Sequence, residues 1–180
     1  MRIIAITGKA GSGKDTIALM LKTYLEWKGK RVAIIHFADP LKLICKKFYN
    51  WDGVKDEAGR KLLQHVGTDL VRVRNANFWC NFVKDIAVML YDDIDYLIIP
   101  DVRFPNEIEI FKRNKAVFNP ILIRVERENT CCDLSEEQKK HISEVAMDSY
   151  TADKVINNNK TKAHLLKEAA EILEYIETGN

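Results

Sequence analysis

No stretch of this 180-residue chain stays apolar for anything near the roughly 20 residues that a membrane-spanning helix needs, so nothing in it reads as a span. Charge of one sign is also scarce. Twenty-eight Lys and Arg against 26 Asp and Glu leave a net charge of +2, too little for a general affinity for nucleic acid or an anionic membrane surface. Any basic cluster is therefore a local site. Cysteine is sparse as well: Cys45, Cys80, Cys131 and Cys132 form no Cys-x-x-Cys pair. Zinc is not expected, and a reduced, cytoplasmic chain is. There is no internal repeat, linker or low-complexity stretch, and the length predicts a single domain over 1–180. The N-terminus opens directly on a core-strand pattern, which predicts no signal peptide.

That opening run, Arg2-Ile3-Ile4-Ala5-Ile6-Thr7, is apolar and β-branched, and it feeds Gly8-Lys9-Ala10-Gly11-Ser12-Gly13-Lys14. Asp15 and Thr16 follow, then apolar residues at 17, 20, 21, 24 and 25, at helical spacing. Strand, glycine-rich turn and helix are the context in which G-x-x-x-x-G-K becomes a phosphate-binding loop. Glycines allow positive φ and close approach. Successive N–H groups and the helix N-terminus attract an anion, and Lys14 adds a mobile charge for β- and γ-phosphates. The plain alternative is a strand-to-helix turn that happens to be rich in glycine. Asp15 stands where the usual loop has Ser or Thr to hold magnesium. It reads either as an oxygen ligand for that ion or as an ordinary first-turn acid. Thr16, one residue on, is a less direct substitute.

Further strands are expected at 31–37, 96–100, 121–125 and 154–156, with helices between them. A strand–helix–strand unit implies a parallel pair, so the pattern is α/β with a five-stranded parallel sheet. Ligands bind outside the carboxyl ends of such strands. Phe37-Ala38-Asp39-Pro40-Leu41-Lys42 lies at one of these ends. Asp39-Pro40 reads as a helix cap, and Asp39 and Lys42 also as site residues. Trp51-Asp52-Gly53 marks a turn.

In residues 58–74, Arg60, Gln64, Thr68 and Arg72 recur every four residues on one helix face. Gly67 either breaks this segment, with Thr68 or Asp69 capping a second helix, or leaves it continuous. The stripe reads as a solvated face, or as a site for a phosphate and a base edge. His65 reads as core-edge or surface. Trp79 opens the next helix, as core or as a stacking partner. The third strand closes on Asp101-Val102-Arg103, as a Walker-B strand does, with a helix then expected over 106–114. Arg124 and Arg127 are expected at the rim, followed by a polar segment, 126–144, that suits a mobile cover. Asp133 with Glu136 looks like a capping box. A helix over 162–176 closes the chain.

Taken in order, Gly11 to Thr16, Phe37 to Lys42, Arg60 to Gln64, Gly67-Thr68-Asp69, Arg72 to Trp79, Pro100 to Glu107, His141-Ile142-Ser143-Glu144 and Val155 to Asn159 resemble the phage-type deoxynucleoside monophosphate kinases. This is a branch of the P-loop nucleoside-monophosphate-kinase group, in which an Asp after the loop lysine is usual. The resemblance implies the P-loop NTPase fold, with helices on both faces of the sheet. It also implies a substrate-binding helical segment over about 38–92 and a short lid over about 126–144. It implies ATP and Mg2+ as cofactors and phosphoryl transfer to a (deoxy)nucleoside 5′-monophosphate. ATP would lie on Gly8 to Thr16, with adenine near Asn157 to Thr161, Asn159, Lys160 and Thr161 foremost. Phe37, Asp39, Lys42, Arg60, Gln64, Thr68, Arg72, Trp79, Asp101 and Arg103 would hold the acceptor. Lys14, Arg103 and a lid arginine, Arg124 or Arg127, would act in transfer. Asp15, with Asp101 through water, would organise the metal. The expected partners are small nucleotides in a bacterial or phage-infected cytoplasm, without nucleic acid or membrane, and with a homodimer left open. Two alternatives stay open: another small-molecule P-loop kinase of dephospho-coenzyme A or phosphomevalonate type, and a non-catalytic nucleotide switch. Asn159-Lys160-Thr161-Lys162 lacks the aspartate of a guanine-reading segment.

Overall fold

Apolar residues that alternate between two faces put five strands at the centre of the molecule. The structure, a computed structural model, describes residues 1–128 and 134–178. β1 (Arg2–Thr7), β2 (Val32–Ile34), β3 (Tyr96–Val102), β4 (Ile121–Glu126) and β5 (Lys154–Asn157) form one sheet in the order β2-β3-β1-β4-β5. Every neighbouring pair is parallel. Central β1 pairs Ile4 with Ile98 of β3 and with Ile121 of β4.

Period-two alternation sends Ile3, Ala5, Leu97, Ile99 and Leu122 to one face, and Ile4, Ile6, Ile98 and Ile123 to the other. The second face is covered by α1 (Lys14–Trp27) and α9 (Lys162–Thr178), through Ile17, Leu21, Leu25, Leu165, Leu173 and Ile176. The first carries α2 (Ala38–Phe48), α3 (Glu57–Gln64), a π-helical continuation His65–Arg72, α4 (Phe78–Met89), α5 (Pro105–Lys112) and α6 (Lys115–Phe118). Leu41, Val66, Trp79, Val83, Phe111 and Phe118 are their anchors. α7 (Glu136–Lys140) and α8 (Ile142–Val145) precede β5. Among the described residues no helix is long and apolar enough to cross a membrane.

The structure departs from expectation at several places. β2 stops at Ile34, although the Ile35 N–H still reaches the Ile98 carbonyl at 3.1 Å. The chain then turns because Asp101, at the end of β3, accepts from the Phe37 and Ala38 N–H groups at 2.8 and 2.9 Å. Asp101, and not Asp39, is thus the acceptor that starts α2. Gly67 does not break its helix. The segment widens into π-helical geometry, and the Trp79 indole donates to the Gly67 carbonyl at 3.0 Å. A Cβ on Gly67 would lie 2.6 Å from a Leu41 methyl, so close packing is what the glycine serves.

Asp133 lies outside the described residues, as do Cys131 and Cys132. α7 is instead capped reciprocally by Ser135 and Gln138, each bond at 3.2 Å. Nor is the expected cover short of anchors. Gln138 donates to the Glu57 carbonyl, Lys61 pairs with Glu137, and Lys9 donates to the Glu144 carbonyl.

Candidate active site

β1 delivers the chain to the glycine loop. Thr7 is buried and donates to the Val102 carbonyl at 2.9 Å, fixing the strand end. Gly8, Gly11 and Gly13 have φ of 146°, 76° and 103°. A Cβ on Gly8 would lie 2.3 Å from the Val125 carbonyl oxygen, and one on Gly13 would lie 2.4 Å from Nδ2 of Asn158. Neither position admits a side chain. Ala10 and Gly11 form the crest of the loop, and Asp15 and Thr16 are exposed on the first turn of α1. The Ser12 hydroxyl is buried and has no hydrogen-bond partner among the described residues. An orphaned hydroxyl on a loop whose glycines hold positive φ fits a phosphate chain.

The Lys14 ammonium folds over the loop, donating to the Gly8 and Lys9 carbonyls at 2.8 and 2.9 Å. Burial, reinforced by Arg103, lowers its pKa to about 8 against the opposing pull of Glu144, Asp15 and Asp101. Lys9 points away, donating to Asp148 at 2.5 and 2.8 Å and to the Glu144 carbonyl.

Beside the loop stands His36, which the sequence reading did not single out. Its Nε2 lies 3.2 Å from Asp15 and its Nδ1 lies 3.3 Å from Asp39. The bond to Asp15 raises the imidazole pKa, with Asp101 and Asp39 adding to the effect against burial. The same bond holds the Asp15 carboxyl below its ordinary value. A histidine at the carboxyl end of a strand was the available signal. No group of three or more His, Cys, Asp or Glu able to hold a metal occurs among the described residues. Magnesium commonly takes one or two carboxylates plus substrate phosphates, and an ionised, exposed Asp15 fits that role.

A second cavity, of about 170 Å³, opens on the first face of the sheet. Phe37, Lys42, Arg60, Gln64, Thr68, Arg72, Trp79, Asp101 and Arg103 all line it, while Asp39 stands outside. Phe37 and Trp79 are almost wholly buried. Arg72 pairs with buried Glu107 and lies 4.1 Å over the Phe104 ring. Glu107 also accepts from the Arg103 and Phe104 N–H groups at 2.6 and 3.1 Å. Burial pushes its carboxyl up to about 7 despite Arg72. Arg103 pairs with Glu144 and donates to the Ser143 carbonyl at 3.1 Å. Lys55, Phe104, Glu107, Leu134, Ser143 and Glu144 also line the cavity and were not expected there. Burial and the nearby cations Lys42, Arg103 and Arg60 lower the Lys55 pKa.

A third group of residues surrounds the other flank of the loop. Gly8, Lys9, Arg103, Arg124, Arg127 and Glu144 line a cavity of about 170 Å³ there. Arg103 is thus in the wall of both cavities. Arg124 is a β4 residue and not part of a cover. Its guanidinium donates to the Met147 and Tyr150 carbonyls at 2.7 and 2.5 Å, which ties down the turn after α8. Arg127 is exposed, and it lines both this cavity and the one formed with Glu128, Asn158, Asn159 and Lys160. Asn159 accepts from the Glu128 N–H at 2.8 Å, and Thr161 caps α9 through the His164 N–H at 3.3 Å. Lys160 lies 3.2 Å from His164. Asn158 donates to the Ser12 carbonyl at 2.7 Å and so is the residue that joins this segment to the loop.

Comparison with known proteins gives one family. A family model described as deoxynucleotide monophosphate kinase matches residues 53–169. That stretch begins after the phosphate loop, so loop geometry and family match are independent observations. No curated protein matches. Among solved structures, a variant of the Mycobacterium tuberculosis APS kinase CysC matches with TM-score 0.54 and 13% identity, covering 98% of this chain and 96% of that one. The same kinase in complex with AMPPNP and APS gives 0.53 and 12%, covering 98% and 97%. The shikimate kinase of Aquifex aeolicus gives 0.51 and 15%, covering 99% of each chain. At these identities the likeness is one of fold, that of the P-loop kinases.

Proposed function

Since this chain belongs to the deoxynucleotide monophosphate kinase family, a family of phosphotransferases, we propose that it moves the γ-phosphoryl group of ATP to the phosphate of a deoxynucleoside 5′-monophosphate, giving ADP and the diphosphate. The observation that carries this reading is the position of Arg103. It stands in the wall of the loop cavity and of the cavity lined by Arg60, Arg72, Lys42 and Lys55. A donor phosphate on the loop and an acceptor phosphate among those cations would therefore share one guanidinium. The AMPPNP-bound kinase of the same fold supports a nucleoside triphosphate on the loop.

Phosphoryl transfer needs positioning and charge neutralisation more than covalent chemistry. Loop amides, the Ser12 hydroxyl and Lys14 hold the β- and γ-phosphates. Arg60 and Arg72 orient the acceptor, with Arg72 fixed by Glu107. Arg103 exchanges its pairing with Glu144 for the reacting phosphates. Arg127, exposed beside the loop cavity, neutralises charge from the cover side, and the α7–α8 segment excludes water. Asp15, with Asp101 through water, would hold Mg2+, which would supply positive charge to offset that of the reacting phosphates. A cytoplasmic setting, where free nucleotides occur, suits the buried free thiols Cys45 and Cys80. The test is Lys14→Met, assayed for ADP release with each deoxynucleoside monophosphate. Acceptor-stimulated release should drop by about 10²–10³-fold, the usual cost of one lost charge-stabilising donor. Release near the wild-type rate would refute the assignment.

A further inference from the structure

Asp15 lies on the first turn of α1 with its side chain 83% exposed, where packing gives a carboxylate no fixed orientation. Among the described residues its hydrogen-bonding partner is Nε2 of His36, at 3.2 Å. The imidazole is held from behind. Its Nδ1 lies 3.3 Å from Oδ2 of Asp39, and the His36 backbone N–H donates to that same oxygen at 3.0 Å. Asp39 is fixed in turn by the Lys42 ammonium, which donates to Oδ1 at 2.9 Å. Lys42 lines the acceptor cavity. A polar row therefore runs Lys42, Asp39, His36, Asp15, from the acceptor cavity to the phosphate loop.

The ring is not needed to start α2. Asp101 already takes the Phe37 and Ala38 N–H groups. Beyond Asp39, what the ring touches is the side chain beside Lys14.

We propose that His36 is a positioning residue for phosphoryl transfer, acting through Asp15: its Nε2 edge fixes the carboxylate that meets the metal of the bound nucleotide, and Asp39 with Lys42 fixes the ring. The inference rests on Asp15 being that carboxylate. A metal ligand held in one orientation by an outer partner binds more tightly, and loss of such partners typically costs about 10–100-fold in metal affinity.

The amide nitrogen of a glutamine stands near where Nε2 stands in histidine, and that of an asparagine near Nδ1. His36→Gln keeps the donor toward Asp15, His36→Asn keeps the one toward Asp39, and His36→Ala keeps neither. The experiment loads each protein with a non-hydrolysable ATP analogue, titrates in Mn2+ and reads free Mn2+ by electron paramagnetic resonance, with Asp15→Ala alongside. Analogue binding in EDTA, by calorimetry, reports on the loop itself. The expected result is Mn2+ weakened about tenfold in His36→Ala, His36→Asn and Asp15→Ala, at the low end of that outer-partner range. His36→Gln should stay within about twofold of wild type, and metal-free analogue binding should be unchanged in the three His36 variants. Wild-type Mn2+ affinity in His36→Ala with Asp15→Ala weakened would overturn the role of His36 alone. Equal weakening in all three His36 variants would overturn action through the Nε2 edge. Unchanged affinity in Asp15→Ala would overturn Asp15 as the metal carboxylate and His36 with it. Kinase activity itself is judged separately, by acceptor-stimulated ADP release in the wild type.

Discussion

Replacing Glu107 with glutamine should remove a pH dependence that the acceptor cavity imposes on folding. Glu107 is 1% exposed, and burial raises its carboxyl from an ordinary 4.5 to about 7, outweighing Arg72 and the backbone N–H groups of Arg103 and Phe104. Between those two values the folded protein keeps a proton that the unfolded chain has released. Stability therefore falls as pH rises through that window, and the loss is complete above about 7. At about 1.4 kcal/mol per pH unit, the whole gap is worth about 3 kcal/mol. Most of it, about 2–3 kcal/mol, falls between about pH 5 and about pH 8. Glu107→Gln keeps a carbonyl acceptor for the two N–H groups but cannot ionise. Urea unfolding of both proteins at those two pH values gives the difference, and groups common to both cancel. The wild type should lose about 2–3 kcal/mol relative to the variant on going from the lower pH to the higher. A difference that does not change with pH would refute the reasoning, since Arg72 would then fully offset the cost of burial.

Ser12→Ala removes a buried hydroxyl that has no partner among the described residues, so stability should stay within about 0.5 kcal/mol of wild type while ATP-analogue binding weakens, read by urea unfolding and calorimetry. Gly13→Ala forces a Cβ into a φ of 103° and to 2.4 Å from the Asn158 amide, and should cost about 1–3 kcal/mol of stability by the same unfolding assay. Lys14, lowered to about 8, becomes neutral as pH rises past that value, so kcat/KM for ATP should decline above about pH 8. In Lys14→Arg the decline should move to higher pH.

The middle of the sheet was legible because β1, β3 and β4 are buried on both faces and read as near-continuous apolar runs. The end of β2 was not, because Asp101, 64 positions away from Phe37, sets where the chain turns. The stripe Arg60, Gln64, Thr68, Arg72 was legible from spacing, and all four residues line one cavity. Its π-helical course was hidden, since it depends on Trp79 taking the Gly67 carbonyl and on Leu41 packing against that glycine. Glu107 and Glu144 lie in stretches that carry the resemblance but were given no role, because each meets its arginine across at least 35 residues. Arg124 was placed on its strand and at the rim, but its partners were hidden for a similar reason. Apolar periodicity marks its strand but says nothing of the carbonyls at 147 and 150 that its guanidinium holds.

The central claim is that the glycine loop and the arginine-lined cavity serve one transfer, with Arg103 between them. ATP labelled at its γ-phosphate, incubated with the protein and each deoxynucleoside monophosphate in turn, tests it most directly. Label should appear in a deoxynucleoside diphosphate in step with ADP for at least one acceptor, and should fall sharply in Arg103→Met. Label found in inorganic phosphate alone, or ADP release that no monophosphate increases, would contradict the account.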